Sequence, residues 1–96
     1  MADFLFLMHN DAAADGRTWA PYLHALIEDG LLKGGSAIGD GVCERKSGAP
    51  AALTSHLVGF MRVEADSLEH AKRLLAGNPV FEAGGTVEIR ELPQAG

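Results

Sequence analysis

The chain has a single cysteine, Cys43, so no internal disulfide can form, which suits a reducing compartment. It also lacks a long apolar run. Five apolar residues follow Asp3 with no basic region before them, short of the ~7–15 of a secretory core or the ~20 of a membrane helix. We therefore expect a cytoplasmic protein with no membrane partner. Basic residues are few, eight against thirteen acidic, for a net charge of −5. They are scattered, Lys33, Arg45, Lys46, Arg62, Lys72 and Arg73 among them, with no stripe, which argues against nucleic acid as a partner. Internal repeats and dividing linkers are absent too, so residues 1–96 read as one domain. A domain of that size buries ~60–65% of its unfolded surface.

Two familiar site types are missing as well. The glycines between Gly34 and Gly41 follow a helix and enter a strand, whereas a dinucleotide fingerprint follows a strand and opens a helix. Ser55 and His56 are adjacent in a strand pattern, so their side chains point to opposite faces and make no hydrolase pair.

What is present is two strands that read as apolar on both faces. Residues 4–8 (Phe4, Leu5, Phe6, Leu7, Met8) and 57–63 leave almost no polar side, the pattern of strands buried on both faces. Between them, Trp19, Tyr22, Leu23, Leu26 and Ile27 recur at helical spacing, with Thr18 as the expected N-cap and Gly30 as the stop. Residues 31–46 form a strand region broken by glycines. The turn signal Lys46, Ser47, Gly48, Ala49, Pro50 predicts a hairpin between residues 42–45 and 51–58. A second helix starts at Asp66 or Ser67, carries Leu68, Ala71, Leu74 and Leu75 inward, and stops at Gly77, Asn78 and Pro79. Residues 86–90 alternate with period two, a strand with one wet face.

The order is β-α-β-β-α-β, which predicts an α+β ferredoxin-like antiparallel sheet. Right-handed crossovers put both helices on one face. The first and third strands then lie at the centre and the fourth at an edge. Two helices cover one face only, so the other calls for a second copy of the chain: a homodimer through the sheet face.

Through nearly its whole length the chain resembles the YCII-related proteins, including the DGPF-type branch. The resemblance is carried by residues 4–8 leading to Asn10 and Asp11, and by Asp29 and Gly30 followed by Leu31, Leu32, Lys33, Gly34 and Gly35. It continues through Asp66, Ser67, Leu68, Glu69, His70 and Ala71, then Asn78, Pro79 and Val80, and last Gly84 and Gly85 ahead of residues 87–90. It implies a dimeric α+β barrel with a pocket between the sheet and its helices. Some members carry a histidine early in the first helix, proposed to work with an aspartate; those positions here are Trp19 and, within about a residue, Asp40. The DGPF motif itself is absent, its region reading Leu53, Thr54, Ser55, His56.

His9 is the most suggestive candidate, because it ends a buried strand and a carboxylate near a histidine fixes its tautomer for general-base work. Asp11 or Asp40 is the expected orienting acid. His56 shares a strand face with Val58, Phe60 and Arg62, and with Arg62 is expected to receive an anionic group. Ser36 and Trp19 complete the binding set. His24 and His70 read as surface residues. No metal or cofactor is expected. The function implied is an unidentified small-molecule binder, with cofactor-free lyase, isomerase or hydrolase chemistry at His9, or else a metabolite-binding accessory module without turnover.

Overall fold

A computed structural model describes residues 1–94; the last two residues of the expected domain lie outside the described residues. The elements run β1 (Ala2–His9), α1 (Ala20–Glu28), β2 (Leu32–Ala37), β3 (Leu57–Ala65), α2 (Leu68–Arg73), α3 (Pro79–Glu82) and β4 (Val87–Leu92). The four strands form one antiparallel sheet in the order β2-β3-β1-β4. This α+β architecture is compatible with a ferredoxin-like fold, with β1 and β3 central and β4 at an edge.

Strand alternation builds the core. Phe4, Phe6 and Met8 on β1 lie opposite Val63, Met61 and Gly59 on β3, and all six are buried. Tyr22 and Leu26 of α1, Ala71 of α2 and Leu75 just beyond it join the same cluster. Each large side chain buried this way contributes ~1.5–3 kcal/mol. The other face of the sheet carries Leu5, Leu7 and Phe60, half-buried, with Arg62 exposed. In the single chain, then, the central strands are fully buried on one face only.

Helix ends follow local chemistry. Gly30 takes φ 71° after α1, and Leu31 N–H closes back on Leu26 C=O at 2.9 Å, the glycine-terminated stop that the sequence predicts. Ser67 caps α2, its Oγ accepting from His70 N–H at 3.1 Å. His70 is not a free surface group: its Nδ1 accepts from Asp66 N–H at 2.9 Å. Thr18 does not cap α1. The residue before the helix is Trp19, with no side-chain cap bond.

Two segments depart from expectation. The hairpin between residues 42–45 and 51–58 does not form. Beyond the bond from Ile38 N–H to Val58 C=O at 3.0 Å, residues 38–56 run without strand or helix. With Gly39, Gly41, Gly48 and Pro50 in this segment and almost every residue exposed, there is little apolar burial to offset the entropy of ordering it. The connection after α2 instead contains a turn of helix, α3. Asn78, fully buried, caps it: its Oδ1 accepts from Val80 N–H at 3.0 Å and Phe81 N–H at 3.1 Å.

A close strand approach involves Gly35. A Cβ there would sit 2.6 Å from Phe60 C=O and 3.0 Å from Met61 Cα, both backbone atoms that cannot swing away. At Gly59, which the sequence marks for close approach, the nearest atoms would lie at 3.4 Å. Gly35→Ala should therefore destabilise the fold by ~1–3 kcal/mol in urea denaturation, and Gly59→Ala by clearly less. Equal costs would show that β2 yields freely at its bulge.

Candidate functional site

Helices α1, α2 and α3 do not cover the sheet evenly. Between α1 and the β2–β3 side, the backbone of Gly34, Gly35, Ser36 and Ala37 floors a cavity of about 510 Å³, within the ~300–1,000 Å³ of small-molecule sites. Met8, Trp19, Leu23, Leu32, Val58, Phe60, Met61 and Val80 line the rest of it. Among the described residues, no ionisable side chain lines it. Ser36 is its one hydroxyl, and that group donates to Ala37 C=O at 2.9 Å.

A second cavity of about 230 Å³ lies at the end of β1, where His9 and Asn10 meet residues 12–15, Arg17, Pro79 and Ala83. It is the more polar of the two. Trp19, Val58 and Val80 line both cavities. The Trp19 indole stands edge-on to Tyr22, ring centres 6.0 Å apart, and Tyr22 is fixed in turn by donating to Leu74 C=O at 2.7 Å.

His9 sits just past a register shift between Met8 and His9. Its Nε2 lies 3.1 Å from Glu88 Oε1, and its ring stands edge-on to His56 with centres 4.7 Å apart. An ionised carboxylate only accepts, so Nε2 carries the proton and Nδ1 is the ring's basic position. Arg90 first, at 3.1 Å, and His9 second hold the Glu88 carboxyl below the ordinary range. The arrangement is a histidine with its tautomer set by a carboxylate, which can take or give a proton at Nδ1.

Asp11 is not the acid that orients His9. Its carboxylate accepts from Thr86 N–H at 2.8 Å and from Thr86 Oγ1 at 2.5 Å, tying the start of β4 to the end of β1. Those two bonds, the hydroxyl first, hold its pKa below the ordinary range. Asp40 is exposed in the 38–56 connection and lines neither cavity. His56 and Arg62 do not converge. Six residues of extended chain at ~3.3 Å each separate them by roughly 20 Å, and Arg62 instead faces Asp3 at 3.8 Å. Ser36 and Trp19 both line the larger cavity. His24 is exposed and paired with Glu28 at 3.2 Å. Among the described residues, no group of three His, Cys, Asp or Glu side chains is placed to hold a metal ion, and no helix is long and apolar enough to cross a membrane.

Glu88, Thr86 and Val80 are site residues that the sequence did not single out. Glu88 was within reach of pattern reasoning, since it stands on the wet face of the alternating strand, opposite Leu7. Comparison with protein-family models, with curated proteins and with solved structures yields no match to this chain.

Because Asp11 and Glu88 are stronger acids folded than unfolded, their stabilisation is complete above the ordinary carboxylate range and is lost as pH falls from that range through their lowered folded values. The urea midpoint should drop between about pH 5 and pH 3, and less steeply in Asp11→Asn. An unchanged pH slope in that variant would remove the clamp from the account.

Proposed function

We propose that the chain is a YCII-like domain of the ferredoxin-like type that binds an apolar small molecule without a cofactor, as a cytoplasmic homodimer. One observation carries the ligand class: the 510 Å³ cavity has aromatic, methionine and aliphatic walls and no ionisable side chain. An apolar ligand entering it loses water at no cost in unpaired charge, whereas an ionic ligand would be stripped of water with nothing to pair it. Methionines such as Met8 and Met61 adapt to irregular ligand shapes and make favourable contacts with rings.

A second reading, cofactor-free acid/base chemistry, has its own support in His9. The Glu88 contact sets its tautomer, and the ring stands at the end of a strand that fixes its backbone. Under this reading His9 moves a proton on a ligand held at the end of β1, beside Glu88 and His56.

The homodimer rests on the other face of the sheet. Leu5, Leu7 and Phe60 form a central apolar strip there. The flanking charges are already paired within the chain: Lys33 with Glu64 at 2.8 Å, Arg62 with Asp3 at 3.8 Å, and Arg90 with Glu88 at 3.1 Å. A face of that kind can pack against its own copy with few charges left unpaired.

A thermal-shift screen of neutral aromatic compounds tests the ligand reading. A binder at 100 times its dissociation constant should add ~2.7 kcal/mol of stability. Ala37→Leu, which fills the exposed end of the cavity, should abolish the shift while the chain still folds; a shift that survives puts the ligand elsewhere. Sedimentation tests the dimer. The wild type should run at about twice 10.1 kDa, and Leu7→Glu, set opposite Glu88, should run as a single chain. A wild-type monomer at micromolar concentration would end the dimer proposal.

A further inference from the structure

Residues 38–56, between β2 and β3, carry apolar side chains that their own chain does not cover. Val42 is 76% exposed, Leu53 48% and Ile38 38%, with Ala49, Ala51 and Ala52 exposed near them. Two acids, Asp40 and Glu44, balance two bases, Arg45 and Lys46. Such apolar content without net charge is not the composition of a segment suited to remain in water. Among the described residues, its backbone bonds to the rest of the chain lie at its ends, from Ile38 N–H to Val58 C=O at 3.0 Å and from Asn10 N–H to His56 C=O at 2.9 Å. The middle projects as an arm. The whole chain exposes 6431 Å², whereas a compact monomer of 10.1 kDa exposes about 5,300 Å². Its radius of gyration is 14.9 Å, against about 12.5 Å for a compact domain of this length. The surplus, about 1,100 Å², exceeds the ~800 Å² that each partner gives up in a standard stable interface.

We infer that residues 38–56 are an exchanged arm: each copy of the chain lays this segment across the open sheet face of a second copy, with Ile38, Val42 and Leu53 against the apolar strip there. This rests on the homodimer reading above and deepens it by naming the segment that closes the contact. The arm starts at the face in question. At its C-terminal end the His56 ring meets His9, whose Nε2 bonds Glu88 on the open side of the sheet, and the chain then enters β3 towards Phe60 of the strip. Its reach is sufficient. Turning at Gly48, which takes φ 79°, each limb of about nine residues can extend ~30 Å, more than the ~20 Å width of a four-stranded sheet. A second copy is the occupant that the surface favours, because in a two-fold contact every chain both gives and receives an arm, and the surplus area on each is spent once. Being uncharged overall, the arm adds nothing to the repulsion between two chains of −5.

Sedimentation and amide hydrogen exchange on the full chain test this. Val42→Asp and Leu53→Asp change side chains that the single chain leaves exposed, so both variants should keep the wild-type circular dichroism. Each should raise the Kd of the dimer about tenfold or more, the worth of one buried apolar side chain. Ile27→Asp, 60% exposed on α1 and outside the arm, should leave it unchanged. Amides of residues 39–54 should exchange at least tenfold more slowly in the wild-type dimer than in monomeric Leu7→Glu. If the wild type is a dimer but the arm variants associate as tightly, or the arm exchanges equally fast in both states, the arm is wrong and the sheet-face dimer stands. An equal loss in Ile27→Asp also overturns the arm, since added charge alone then explains the weakening. A wild-type monomer ends both. Should Leu7→Glu fail to fold, wild-type protein diluted below its Kd supplies the monomer reference.

Discussion

The Asn78 side chain, fully buried, accepts hydrogen bonds from Val80 N–H and Phe81 N–H and reaches Met61 Sδ at 3.9 Å. Much of the site depends on that cap. It starts α3 and so fixes Val80, the residue that walls both cavities. Val80 C=O then accepts from Gly85 N–H at 2.9 Å, and Gly85 has no Cβ because one would lie 2.8 Å from Val80 Cγ1. From Gly85 the chain passes to Thr86, which Asp11 holds through two bonds and whose C=O accepts from His9 N–H at 3.0 Å. A single buried amide thus sets the position of one wall, one loop and the backbone of the most suggestive histidine. Replacing such a cap by an apolar residue leaves the part-buried Val80 and Phe81 N–H groups without their acceptor, a loss of ~1 kcal/mol or more.

The cavity itself follows from a mismatch between the sheet and its cover. Helix α1 packs through Tyr22 and Leu26 onto the middle of the sheet, while β2 at the edge carries glycine, serine and alanine in place of large side chains. Small residues there leave space that nothing from the chain fills. Gly34, at φ 145° beside the register shift, and Gly35, pressed onto Phe60 and Met61, let β2 approach β3 closely without side chains of its own. The volume of the pocket is thus set as much by glycine in the floor as by the aromatic and methionine walls.

The fold was largely legible because it is written in periodicities. Phe4, Phe6 and Met8, the helical stripe through Tyr22 and Leu26, and the alternation of residues 86–90 each name a face, and the element order leaves few topologies. The site was less legible because it depends on register. The alternation of residues 86–90 puts Glu88 on a wet face, but only the register sets it opposite Leu7. The sequence therefore offers Asp11 or Asp40 as the acid beside His9 and not the residue across the sheet. The same limit explains His56. Its neighbours in sequence suggested Arg62, but its ring meets His9, which reaches it only through the β1–β3 pairing. The unformed hairpin has a different cause, since its turn signal was sound but the flanking residues had no surface to pack on.

Trp19 is the chain's single tryptophan, and it stands on the boundary between an apolar chamber and a polar one. Indole emission responds to the polarity and mobility of its surroundings. The protein therefore carries an intrinsic optical probe at the junction of its two chambers, with no second indole to dilute the signal. Displacement of water from either side, or loosening of the Tyr22 contact, changes the light from one residue of known address.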